Sequence, residues 1–198
     1  MQKIISLYQR NYDGDRLVRD EIVPGAEWVV AGEGVATRKW DGTAVLVRGG
    51  ELYARFDAKR GKTPPAGWEP AQEPDPVTGH WPGWLRATRP EDRWIREAWA
   101  NSGVGSGVLP AFRPVADGTY EAVGPAINSN HEGFDSHRLI RHGALTLPEP
   151  MHPRDVPRDF EGLRAYFEAV PIEGIVWHHP DGRMVKIKAR DFGIAWPR

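Results

Sequence analysis

Glycine and proline punctuate this chain, contributing 22 and 18 of its 198 residues. Glycine loosens the backbone and proline fixes it, and both interrupt regular helices. Long helices are therefore scarce, and short strands joined by turns must carry the fold. Six stretches have the β-branched or alternating character of half-buried strands: Glu27–Ala31, Thr43–Val47, Leu52–Arg55, Thr119–Val123, Gly174–His178 and Met184–Lys188. Arg48-Gly49-Gly50-Glu51 closes a hairpin between the second and third, and Pro180-Asp181-Gly182-Arg183 closes one between the last two.

Two helices are expected. Pro90 to Asn101 opens with proline in its first turn, followed by Glu91 and Asp92, which suit the helix dipole. Trp94, Ile95, Ala98 and Trp99 then share one face. The second helix runs from about Pro157 to Ala169, with Asp155 near its cap and an apolar stripe of Phe160, Leu163, Tyr166 and Phe167. Pro171 ends it. Lys62 to Trp84, rich in Pro, Gly and Trp, reads as a surface excursion, and Gly103 to Gly107 as a flexible connector. The expected fold is α+β, mostly antiparallel, with residues 1–198 forming one domain.

Hydrophobic residues make up 40% and charged residues 27%, as in an ordinary soluble globular protein. No apolar run approaches the ~20 residues of a membrane span, and Met1 to Arg10 lacks a signal-peptide layout. There are no cysteines, so disulfides and thiolate metal sites are excluded and the cytoplasm is the expected compartment. No segment announces an obligate protein partner. The formal net charge of −1 means that a nucleic-acid partner would need a local basic surface. Arg55 to Lys62 supplies one in sequence, with Arg55, Lys59, Arg60 and Lys62 against Asp57 alone.

Several residues carry chemistry. Lys39 precedes the turn-forming Asp41-Gly42. A lysine amine attacks only when neutral, so a nucleophilic lysine needs burial or neighbouring positive charge. Lys186 and Lys188 are two apart in a strand and share a face, where an anion such as a triphosphate would relieve their repulsion. Glu173 heads the neighbouring strand and is a candidate ligand for a divalent cation. Glu121, at the end of another strand, is a candidate for a ribose hydroxyl or a metal.

In order, Lys39-Trp40-Asp41-Gly42, Ala58-Lys59-Arg60-Gly61, Tyr120-Glu121-Ala122-Val123-Gly124, Glu173-Gly174-Ile175-Val176 and Lys186-Ile187-Lys188 resemble the motifs of ATP-dependent polynucleotide ligases, members of the covalent nucleotidyltransferases. The second string is similar to that of RNA ligases of the phage-T4 ligase 2 kind. The resemblance implies an adenylation domain whose mostly antiparallel sheets flank a nucleotide cleft. It implies ATP as AMP donor, Mg2+ or Mn2+, and RNA with 5′-phosphate and 3′-hydroxyl ends. Lys39 would carry AMP. Arg55 and Arg60 would contact ribose or RNA phosphate, with Lys59 beside them on the RNA. Glu121 would contact ribose or metal, Glu173 would bind metal, and Lys186 and Lys188 would grip the transferred phosphate.

The chain departs from the family pattern in three places. Ala44 stands where many members have an arginine, with Arg55 as the expected substitute. The adenine-stacking aromatic has no clean match, Phe134 being one candidate. Little sequence follows Lys188, so no oligonucleotide-binding domain is expected there. His131, His137 and His142 read as scattered surface histidines or as groove lining. The alternatives are a non-catalytic nucleotide- or RNA-binding module, a guanylyltransferase and a DNA-ligase-like enzyme.

Overall fold

A computed structural model describes residues 3–59, 61–76, 79–103, 115–144, 147 and 152–196. In chain order the described strands are β1 (Ile5–Ser6), β2 (Tyr8–Arg10), β3 (Val18–Ile22), β4 (Val35–Lys39), β5 (Thr43–Arg48), β6 (Glu51–Ala58), β7 (Glu69–Pro70), β8 (Trp81–Arg86), β9 (Gly118–Val123), β10 (Arg138–Arg141), β11 (Gly174–His178) and β12 (Met184–Lys188). The described α-helices are α1 (Glu27–Val30), α2 (Arg93–Ser102) and α3 (Phe160–Ala169). The architecture is α+β, with mostly antiparallel sheets and few helices. None of the described helices is long and apolar enough to cross a membrane. The chain divides into two compact units, Met1–Lys3 with Asp41–His142, and Ile4–Trp40 with Gly143–Arg198.

The first unit is built on a six-stranded sheet in the order β10-β9-β5-β6-β8-β7. Its β5–β6 turn places Gly49 and Gly50 at φ 59 and 71, a conformation glycine adopts without penalty. The Asp117 carboxylate accepts the Gly49 N–H at 2.9 Å and fixes that turn. Alternate residues Val45, Val47, Leu52, Ala54, Tyr120 and Ala122 pack with Ile95 and Ala98 of α2. The residues between them leave Ala44, Leu46, Tyr53, Arg55, Thr119 and Glu121 half-buried on the opposite face.

The second unit holds a four-stranded sheet in the order β1-β12-β11-β4 and the pair β2-β3. One face of the larger sheet is core: Ala36, Ile175, Trp177, Val185 and Ile187 pack in one cluster with Leu163 and Phe167 of α3. Tyr8, Phe160 and Phe192 close that cluster edge-to-face, with Tyr8–Phe160 and Phe160–Phe192 centroids both 5.1 Å apart. The Arg158 guanidinium donates to the carbonyls of Val29 and Gly34, both at 2.9 Å, and to that of Glu33. It thereby ties the last turn of α1 to the residues that follow it.

Both expected hairpins form, at Arg48↔Glu51 and at His178↔Met184. Glu27–Ala31 forms a helix, α1, rather than the expected strand. Trp28 and Val29 are consecutive and both buried, which a two-residue period does not allow, and Gly25 and Gly32 at φ 91 bracket the turn. The stretch Val35–Lys39, not expected as a strand, is β4. The expected surface excursion from Lys62 to Trp84 contains β7 and the start of β8, because Trp84 is buried and pairs with Arg55. Pro90–Asp92 is a 3-10 turn ahead of α2. The cap of α3 is Asp159 rather than Asp155, its carboxylate accepting the Gly162 N–H at 2.8 Å. The connector expected at Gly103 to Gly107 falls, beyond Gly103, outside the described residues.

Leu163 has no exposed surface and sits at the centre of the second unit's core. Leu163→Ala is expected to lose about 3 kcal/mol of unfolding free energy. Urea denaturation would read this as a lower midpoint at unchanged slope.

Candidate active site

The middle strand β11 sets the geometry of the second unit's charged face. Gly174 pairs with Lys39 on one side and with Lys188 on the other. Two residues on, Val176 pairs with Thr37 and with Lys186. Side chains two apart share a face, so Lys39, Lys186, Lys188 and Thr37 lie together, opposite the core residues. Glu173 comes immediately before β11. Its carboxylate bridges two ammonium groups, with Oε2 at 2.5 Å from Lys39 Nζ and Oε1 at 2.6 Å from Lys188 Nζ. The Glu173 side chain is only 6% exposed, against 21% for Lys39 and 14% for Lys188. A Cβ on Gly174 would sit 2.3 Å from the Ile187 carbonyl oxygen, so only glycine allows the strands this spacing.

Three lysines against one carboxylate leave the face positive. Burial, then the charges of Lys188 and Lys39, push the Lys186 ammonium down to about 8, with Asp191 and Glu173 opposing the shift. Burial and Lys39 also lower Lys188, against the pull of Glu173. Beyond β12, the buried Asp191 accepts the Lys188 backbone N–H at 3.1 Å and pairs with Arg10. This fixes the turn at Ala189–Phe192 and with it the end of the lysine strand.

The other expected site residues lie in the first unit. Glu121 pairs with Ala44, and Arg55 pairs with Trp84. The register Val45↔Ala54 brings Ala44 opposite Arg55 one step further on, so Glu121, Ala44, Arg55 and Trp84 form one row across four strands. Arg55 thus occupies the strand next to the small Ala44 and donates from Nε to Asp57 at 2.8 Å. Lys59 lines a cavity of about 330 Å³ with Lys62, Asp75 and Trp81. Arg60 lies outside the described residues. Phe134 is half-buried, with the Arg138 guanidinium 5.1 Å from its ring centre.

The turn after Lys39 is gripped by residues that spacing did not reveal. Asp41 accepts from Asn128 Nδ2 at 3.3 Å and pairs with His131 Nδ1 at 2.8 Å, while Asn128 also donates to the Gly42 carbonyl at 2.7 Å. Asn128, Ser129 and Asn130 are left-handed, at φ 46, 60 and 52. Such a run persists only where its surroundings over-determine it. A Cβ on Gly42 would meet the Ala122 carbonyl oxygen at 2.3 Å, which accounts for the glycine.

Of the three central histidines, His131 is exposed as expected, His142 is half-buried and His137 is buried. His131 holds Asp41, and His142 Nε2 lies 2.9 Å from Glu121 Oε2. His137 is buried and stacks on Trp94 at 5.0 Å. It accepts the Ala126 N–H at Nε2 and meets Glu97 at Nδ1. It is a packed ring held at three points rather than lining for a groove.

A sheet face that carries three ammonium groups against one carboxylate has the chemistry that attracts anions. Residues 110–198 match the family model described as RNA ligase 1. The chain is similar to RNA ligase 1 of Pongo abelii, with 32% identity over 171 residues covering 69% of this chain and 50% of the relative. RNA ligase 1 of Danio rerio is 29% identical over 146 residues, covering 60% and 42%. RNA ligase 1 of Rattus norvegicus is 31% identical over 171 residues, covering 69% and 50%. The chain spans about half the length or less of these curated relatives.

The Lys186 shift has a stability consequence. Below about 8 the folded chain carries this ammonium at a cost, because its pKa lies below the unfolded value of 10.5. Between these values the unfolded chain binds the extra proton and stability rises with pH. Lys186→Met is therefore expected to melt a few degrees above the wild type at neutral pH. That advantage should shrink above about 8 and vanish near 10.5, as followed by calorimetry.

Proposed function

We propose that this chain is the catalytic part of an ATP-dependent RNA ligase that joins 5′-phosphate to 3′-hydroxyl ends through a lysyl-AMP intermediate. The observation that carries the reading is the Glu173 carboxylate shared between Lys39 and Lys188, with Lys186 on the same face. The similarity to RNA ligase 1 proteins supports the same class of reaction.

Lys39 is the nucleophile in this reading. It lies on the edge strand β4, beside the turn gripped at Asp41, and is the most exposed member of the bridged trio Lys39, Glu173 and Lys188. Its neutral amine attacks the α-phosphorus of ATP, a P–N bond forms, and pyrophosphate leaves. Glu173 Oε2, already within hydrogen-bond distance, is the acceptor at hand for the ammonium proton. AMP then passes to the RNA 5′-phosphate, and Lys39 is the leaving group. The RNA 3′-hydroxyl attacks that activated phosphate, and AMP departs as the strands join. Lys186 and Lys188 offset charge on the transferred phosphate throughout.

Glu121 and Arg55 are proposed for ribose or RNA phosphate, and Lys59 and Arg60 for the RNA backbone. Among the described residues no group of three or more His, Cys, Asp or Glu side chains could hold a metal ion. Glu173 fits the way Mg2+ or Mn2+ is commonly bound, through one or two carboxylates with substrate phosphates completing the shell. When bound, that ion would neutralise charge developing on the triphosphate.

Incubation with α-labelled ATP, or with GTP in parallel, should label the wild type from ATP in a denaturing gel. Lys39→Ala should abolish the label, and Lys188→Met should reduce it about 100-fold. Label persisting in Lys39→Ala would refute the choice of nucleophile. Label from GTP alone would indicate a guanylyltransferase, and none from either nucleotide a binding module.

A further inference from the structure

We infer that His142 is a positioning residue that fixes the carboxylate of Glu121, an inference that rests on the ligase reading above. Strands β9 and β10 pair with Ile140 opposite Glu121. His142, two residues beyond Ile140, shares that face, and its backbone N–H donates to the Thr119 carbonyl at 3.1 Å. The ring then reaches diagonally across the pair to place Nε2 at 2.9 Å from Glu121 Oε2.

The other ring nitrogen settles which way the hydrogen bond runs. His142 Nδ1 is buried and has no hydrogen-bond partner among the described residues. A hydrogen on Nδ1 would be buried and unsatisfied, so the fitting tautomer carries it on Nε2. Nε2–H therefore donates to the carboxylate.

Nothing else in the row competes for that role. On the other side Glu121 faces Ala44, whose methyl group makes no hydrogen bond, and Arg55 beyond it is engaged with Asp57. Glu121 is 13% exposed and its Oε1 accepts no hydrogen bond among the described residues. His142 thus holds one carboxylate oxygen and leaves the other for a donor from the ligand, such as a ribose hydroxyl. A glutamate has several rotamers to lose, and a partner that removes them beforehand preserves the reactive geometry.

The test uses His142→Ala, His142→Gln, Glu121→Ala and the double variant with both alanines, each checked for an unchanged melting curve. Lysyl-AMP formation is timed at saturating ATP. His142→Ala should slow it by about 10- to 100-fold. His142→Gln, whose amide nitrogen can take the place of Nε2, should recover most of the rate. His142→Ala should add nothing in the Glu121→Ala background. Ring 15N shifts of the wild type should show the hydrogen on Nε2.

A wild type that labels while His142→Ala keeps the full rate overturns the inference alone. So do multiplicative losses in the double variant, or a hydrogen found on Nδ1. A wild type that forms no covalent AMP overturns the ligase reading, and this role with it.

Discussion

One carboxylate holds the charged face of the second unit together. Without Glu173, the ammonium groups of Lys39 and Lys188 would be left partly buried on the strands either side of β11, with Lys186 on the same face. Three like charges at that spacing repel, and the low exposure of the face weakens solvent screening. Glu173 reaches both partners because Gly174, directly after it, lets β4 and β12 flank β11 closely. The partners lie 134 and 15 residues away in sequence, so the arrangement exists only in the folded sheet.

The sheet that carries this bridge is packed and fastened within its own unit. The core face of the same sheet is apolar, and α3 packs in the same cluster through Leu163 and Phe167. Asp191 and Arg10 fasten the turn that follows the lysine strand. In the other unit the left-handed run from Asn128 to Asn130 brings Asn128 and His131 onto the Asp41-Gly42 turn. Backbone strain at these positions costs about 1–3 kcal/mol per residue and is held in place by the contacts it delivers.

The sequence was most legible where local chemistry dictates geometry. Gly49, Gly50 and Gly182 announce turns because their backbone conformations favour glycine, and the Lys186/Lys188 spacing announces a shared face because a strand has a period of two. It was least legible where long-range packing overrides local preference. Trp28-Val29-Val30 has strand-like composition, yet forms a helical turn because two adjacent side chains face the core. β4 was hidden because Ala36, Thr37, Arg38 and Lys39 mix a buried apolar, a buried polar and two half-exposed basic positions. The roles of Asp191, His131 and His142 depend on register between distant segments, which no spacing rule encodes.

The proposed reaction makes a specific chemical claim: of the three lysines on this face, the edge-strand amine is the one that bonds to phosphorus. Peptide mapping by mass spectrometry after incubation with ATP and Mg2+ reads that bond directly. An AMP adduct on the peptide containing Lys39, absent when Glu173 is replaced by alanine, is the expected result. An adduct on Lys186 or Lys188, or on Lys39 at full yield without Glu173, would contradict it.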